Sequence, residues 1–315
     1  MVLKNKRSMI FTLVIITILS FFIISYSAYS IIQDRNPINK RITTLNNFVT
    51  SVEQDLPRHL FISGYRAIFI LQKNSLNTNT YITNLEDSFE ELFFNGTING
   101  EINDLMTDGK FSSIEYSLNR DASKINANIS LSNPKISLDQ EDPWNLRFVL
   151  NVTILIEDKS NLVIWNRSSS IESYIPINNF LDSIYYIETF GKVSQKINQT
   201  PYTTFVSTIV SGPDYTNLAS HFSNSYYKAS TSAPSFMNRL QGNFSGNQNG
   251  IESLVYPQTL IDFGISPKQK SVVDYIYFSS NNPQAYTIPT INNLILDDQD
   301  NHLTIYNVSG VAVPI

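Results

Sequence analysis

The stretch MIFTLVIITILSFFIISYSAYSII, Met9 to Ile32, carries no charge, and Lys4, Lys6 and Arg7 stand directly before it. As a helix rising about 1.5 Å per residue it is roughly 36 Å long, enough to cross a hydrocarbon core of about 30 Å with some tilt. The expectation is therefore a basic leader over 1–8, facing the cytoplasm, and a transmembrane helix over 9–32. Arg35, Lys40 and Arg41 follow the span and are offset by Asp34, so the charge bias favours an inside N-terminus by a small margin. A cleaved signal peptide is the other reading, because Ser25, Ser27, Ala28 and Ser30 are small enough for a processing site. The apolar core is longer than the ~7–15 residues of such peptides, which favours an anchor.

The chain has 315 residues at a formal net charge of −5, with 16% charged residues and no cysteine. No disulfide framework, thiolate nucleophile or cysteine-bound metal can exist in it. The acidic balance argues against nucleic acid as a partner. A surface rich in Asn, Ser, Thr and Tyr suits the outside of a cell.

Behind the span, Ile38, Ile42, Leu45, Val49, Val52 and Leu56 recur at alternating spacings of four and three and share one stripe of a helix. Asn36 can cap that helix, Pro37 suits its first turn, and Pro57 closes or kinks it. The stripe covers under three heptads, which favours packing against the rest of the chain over an independent coiled coil. Leu60 to Leu71 reads as a buried helix. Leu85, Phe89, Leu92 and Phe93 mark another, with Asn84 as cap, Gly96 as stop, and Glu86, Asp87, Glu90 and Glu91 on its wet face. These segments form a helical neck region over 36–96.

From about Phe111 the expected period is two. Ile125, Ala127, Ile129 and Leu131 alternate with polar residues, and Leu146, Phe148, Leu150, Val152, Ile154 and Ile156 form the apolar side of a half-buried strand. Glu157 to Asn161 reads as a turn, and Leu162 to Ile177 as the returning strand with Pro176 at its end. Further strands are expected at Tyr185 to Thr189, Thr203 to Val210, Val272 to Phe278 and His302 to Val308. Short helical turns are expected at Ser235 to Leu240 and Ile251 to Val255. The fold class is α+β: a transmembrane helix, a helical neck, an antiparallel, sandwich-like β domain over 110–190, and a second β-rich region with loops over 191–315.

Chemistry-bearing constellations are few. His59, His221 and His302 are the only imidazoles, and no two stand at metal-ligand spacing. Gly242-Asn243-Phe244-Ser245-Gly246 misses the Gly-x-Ser-x-Gly elbow by one place. Asp297, Asp298, Asp300 and Asn301 could gather Ca²⁺ ligands, but the glycine and distal glutamate of an EF-hand are missing, and a polar hairpin turn is the expectation. Asp139, Glu141 and Asp142 are read in the same way. Asn95, Asn128, Asn151, Asn166, Asn198, Asn243 and Asn307 are Asn-x-Ser/Thr sequons. With 35 asparagines and 60 serines and threonines in 315 residues, about seven arise by chance, so these possible glycosylation sites are not enriched.

Lys6-Arg7-Ser8 running directly into Met9-Ile10-Phe11 resembles the class III signal of archaeal, type IV pilin-like single-pass surface proteins. The resemblance covers the first fifth of the chain. It implies leader processing between Ser8 and Met9, an amphipathic helix packed on a β-rich head, and assembly through hydrophobic parts. Ser8 stands where Gly or Ala is usual, and Leu13 where pilins commonly carry glutamate. The expected function is a non-enzymatic, membrane-anchored surface protein in a pilin-like, envelope or adhesion role, without cofactor. Its expected partners are the lipid bilayer and, through anchor and neck, itself or other envelope proteins. An exported hydrolase or a ligand-binding receptor with its site between β loops is the alternative.

Overall fold

The computed structural model describes residues 6–160, 163–209 and 212–315, with the side chains of 6–9, 31–37 and 209 left aside. The expected leader therefore lies mostly outside the described residues, as do the Ser8 and Met9 side chains and the tips of two expected strands at Leu162 and Val210. The fold is a mixture of helix and antiparallel sheet, 43% and 24% of the chain.

One helix, α1 (Lys6–Thr78), runs for 73 residues. Its Ile10–Ser30 portion is the one segment among the described residues long and apolar enough to cross a membrane, with a mean hydropathy of 2.3 and no burial. The helix does not close at Pro57, and Asn36 and Pro37 lie inside it rather than at its start. Proline forfeits one backbone bond and crowds the preceding turn. Here Val52, Leu56 and Leu60, on either side of Pro57, are all buried, and that packing carries the helix across the defect.

After α1 come α2 (Leu85–Asn95), a small hairpin of β1 (Thr97–Ile98) and β2 (Glu101–Ile102), and α3 (Phe111–Lys124). The caps of α2 are those expected: Asn84 accepts the Asp87 amide at 3.4 Å, and Gly96 turns left-handed at φ 73°. The helix α3 corrects the expectation of strand from Phe111. Phe111, Ile114, Leu118 and Ala122 are buried at spacings of three, four and four, a helical period that the Ser-rich intervening residues disguise.

Three long strands, β3 (Ala127–Asp142), β4 (Asn145–Asp158) and β5 (Ile164–Pro176), form one sheet in that order. In β4 every second residue from Leu146 to Ile156 is buried, as its alternation requires, and Pro176 closes β5. In β3, Asn133 takes a left-handed φ of 52° just before Pro134, a defect that an edge strand tolerates.

The remainder is not a run of strands. It contains α4 (Ser183–Glu188), β6 (Ser207–Ile209), β7 (Gly212–Asp214), α5 (Thr216–Ser223), β8 (Tyr227–Ala229), α6 (Phe236–Leu240), β9 (Ile251–Ser253), α7 (Pro257–Asp262), α8 (Asp274–Phe278), β10 (Ala285–Thr287), β11 (Ile295–Asp297), α9 (His302–Ile305) and β12 (Val313–Pro314). The short turn expected at Ser235 is α6, capped by Ser235. The strands expected around Tyr185, Val272 and His302 are instead the helices α4, α8 and α9, and the turn expected at Ile251 is the strand β9. In α8 all five residues are buried, so no polar face reports its period.

Contacts divide the chain into two compact units: Met1–Asp55 with Ser117–Ser132 and Thr153–Ser168, and Leu56–Tyr116 with Asn133–Val152 and Ser169–Ile315. In the first, Leu45, Val49 and Val52 of the stripe are buried, whereas Ile38 and Ile42 remain 40% and 38% exposed. Arg41 clips α1 to the end of β4: its Nε donates to Asp158 Oδ1 at 2.8 Å, and its Nη2 donates to the Asn126 carbonyl at 2.8 Å. In the second, Gly64 lets α1 approach the sheet. A Cβ there would come within 2.9 Å of Ile175 Cδ1 and 3.2 Å of Phe148 Cδ1.

Candidate functional site

Two polar networks lie in the second unit on opposite faces of β9, the first sealed from solvent and the second buried except at Lys228 and Asp300. Successive residues of a strand point to opposite sides, so Ser253 enters one and Glu252 the other. Strand ends and short helices supply every member.

In the first network Arg239, from α6, is fully buried, and its Nη1 lies 2.6 Å from Asp182 Oδ2 and 2.9 Å from Asp274 Oδ2. Tyr227 donates its hydroxyl to Asp182 at 2.7 Å. Ser253 donates both its amide and its hydroxyl to Asp274, at 3.1 and 3.0 Å, and bonds the Tyr185 hydroxyl at 2.7 Å. Burial, aided by the Asp182 charge, lifts Asp274 to about 6 against the pull of Arg239. Burial opposes the charge on Arg239, but the two aspartates outweigh it and raise its pKa.

In the second network Glu252 stands opposite Lys228 in the β8–β9 pair, with Nζ 3.2 Å from Oε1, and also accepts the Tyr306 hydroxyl at 3.0 Å. His302 Nδ1 donates to Asp297 Oδ1 at 2.8 Å, and its Nε2 reaches the Tyr275 oxygen at 3.2 Å. Tyr275 in turn donates to Asp300 at 3.2 Å. The 3.6 Å between His302 Nε2 and Glu252 Oε2 is an ion-pair contact, too long for a hydrogen bond. Burial alone would lower His302, but Asp297 and Glu252 outweigh it and bring the imidazole up to about 9. Burial likewise would raise Glu252, but His302 and Lys228 hold it at about 2. His221 has no such carboxylate contact: burial pushes it down to about 3, and its Nδ1 bonds the Thr200 hydroxyl at 3.1 Å.

The structure thus gathers His302 with two acids, but all three side chains have no exposure. A shallow cavity of about 460 Å³ has Lys228 and Asp300 of this network in its wall, with Ser230, Thr231 and Asn301. The Asp297–Asn301 segment is no open hairpin turn: Asp297 is buried in β11 and bonded to Ser271 and His302, while Asp298 and Asp300 are exposed. Asp139 and Glu141 pair with Arg147 at 2.8 and 3.3 Å, and Asp142 accepts the Trp144 amide at 2.7 Å. Among the described residues no cluster of three His, Asp or Glu has metal-binding geometry. His59 is half-buried and belongs to neither network.

Of the sequons, Asn95, Asn128, Asn151, Asn166, Asn243 and Asn307 are exposed, and Asn198 is half-buried with its carbonyl accepting the Tyr227 amide at 2.8 Å. Glu86, Asp87 and Glu90 are exposed, whereas Glu91 is half-buried and accepts the Thr97 hydroxyl at 2.7 Å and the Gly100 amide at 2.8 Å. Sequence reasoning missed Arg239, Asp182, Asp274 and Glu252, whose partners lie tens of residues away. Asp158 left a legible sign, because it falls in phase with the apolar residues of β4. Comparison with protein-family models, curated proteins and solved structures finds no significant match.

Proposed function

We propose that this chain is a single-pass, membrane-anchored surface protein, its bulk outside the cytoplasm, with a pilin-like, non-enzymatic role in the envelope or in adhesion. The observation that carries this reading is α1 itself. One unbroken helix presents bare apolar side chains from Ile10 to Tyr29 and then turns Leu45, Val49 and Val52 into a core. Exposed apolar surface on that scale suits lipid rather than water. The leader Lys4-Lys6-Arg7 supports an inside N-terminus. The full burial of His302, Asp297 and Glu252 favours a structural use of that cluster over the hydrolase alternative.

The test is membrane fractionation of the full chain in cells, followed by N-terminal sequencing and protease treatment of intact cells. The expected result is carbonate-resistant membrane association, with digestion of the bulk from outside. A start at Met9 supports the pilin-like processing, and an intact Met1 leaves a plain anchor. Recovery of the untrimmed chain in soluble extract refutes the reading.

A further inference from the structure

A cavity of about 320 Å³ lies in the second unit where the end of α1, the start of α2 and the tip of the β1–β2 hairpin meet. Its volume falls in the ~300–1,000 Å³ range of small-ligand sites. Leu71, Ser75 and Ile82 in its wall are buried, whereas Thr83 and Asn99 are exposed and form part of the rim. Backbone and side-chain bonds hold the walls in place. Ser75 donates its hydroxyl to the Thr80 carbonyl at 2.6 Å and accepts the Thr80 amide on its own carbonyl at 3.2 Å, while the Ile82 amide reaches the Leu240 carbonyl at 3.0 Å. Glu91 fixes the hairpin tip by accepting the amides of Asn99 and Gly100 at 3.2 and 2.8 Å. A cavity shaped before its ligand arrives loses little to ordering on binding.

The chemistry of the walls is uniform. No lining residue is charged, and most carry a hydroxyl or a carboxamide. The side chains of Asn74, Thr83, Ser88 and Asn99 make no hydrogen bond among the described residues, so their donors and acceptors remain available to a ligand. An anion finds no cation in the walls, and Glu86 and Asp87 in the first turn of α2 disfavour it further. A cation finds no carboxylate there. An extended peptide lacks a strand edge to join: of the lining residues only Ile98 belongs to a strand, a two-residue one already paired with β2. A sugar ring meets both features of the wall. Each of its hydroxyls donates and accepts, as the Ser and Thr hydroxyls and Asn carboxamides do, and its C–H faces suit Leu71 and Ile82.

We propose that this cavity binds a neutral saccharide, with Asn74, Thr83, Ser88 and Asn99 as its hydrogen-bonding contacts. The ligand class is read from the walls themselves, and its use, adhesion to a glycan surface, rests on the exported reading of the chain.

The test applies the full chain, held in lipid nanodiscs free of glycoside detergent, to an array of immobilised glycans with neutral, sialylated and sulfated members. Retention on neutral members is expected, competed by the same glycan in solution. Asn99→Gly keeps the left-handed turn at a φ of 53° and removes only the carboxamide, and Ser88→Ala removes only a hydroxyl. Each is expected to weaken binding roughly three- to tenfold, the scale of one lost hydrogen bond. Asn74→Leu with Ser88→Leu puts apolar bulk into the cavity and is expected to abolish binding, whereas Ser170→Leu, at an exposed position of β5, is expected to leave it unchanged. Thermal unfolding of each variant separates lost binding from lost fold. Failure of every neutral glycan to bind, a preference for sialylated or sulfated members, or undiminished binding by Asn99→Gly and the double variant overturns the proposal. Protease digestion of intact cells reads the export separately: a bulk digested from outside with no glycan bound refutes the site, and a glycan-binding chain whose bulk is protected refutes the export.

Discussion

Arg239 is buried between Asp182 and Asp274, so replacing it with an uncharged residue leaves two carboxylates sealed in the interior without a cation. Arg239→Met is expected to lower unfolding free energy by roughly 3–5 kcal/mol, the scale on which a buried pair fails when one partner is removed. Chemical denaturation checks it, and a loss of under about 1 kcal/mol contradicts it. His302 gives a pH signature. Its folded pKa of about 9 lies above the ordinary 6.5, so its stabilisation is fully present below pH 6.5 and drains away as pH rises through 9. Thermal unfolding temperature is expected to fall across that window, and in His302→Gln this fall should vanish. Glu252 works at the other end: held at about 2, it stabilises above its ordinary 4.5 and loses that contribution as acid takes the pH down through 2.

At the scale of elements, the approach of α1 to the sheet turns on Gly64. Gly64→Val adds a branched side chain where even a Cβ would lie 2.9 Å from Ile175 Cδ1, and is expected to cost about 1–3 kcal/mol through overpacking. Asn84→Ala, which removes the cap of α2, is expected to cost about 1 kcal/mol. Both are read by denaturant titration. The elements visible in the sequence are those whose period repeats many times or whose ends carry punctuation: the Ile10–Ser30 span, the Leu45–Leu56 stripe, α2 between Asn84 and Gly96, and β4 with its alternation. The elements misread are short and surrounded. In Val272–Phe278 a run buried on all sides, its one charged residue Asp274 included, has neither a two- nor a 3.6-residue contrast, and tertiary packing made it a helix. The polar networks were illegible for a different reason. Arg239 and Asp182 are 57 positions apart, and nothing local in either marks the other.

For the whole molecule, the span and the remainder should be separable. A chain beginning at Asn36 is expected to leave the membrane fraction and to keep the thermal transition of the second unit, whereas the full chain should need detergent. Loss of that transition in the shortened chain would show that the apolar segment is required for folding and not only for tethering. The Asp182–Arg239–Asp274 arrangement also bears on synthesis. Its three members come from well-separated stretches, and Asp274 is the last to leave the ribosome. Until it emerges, the guanidinium has one counter-ion and an open flank. A nascent chain stalled before residue 274 would thus remain a substrate for quality-control proteases.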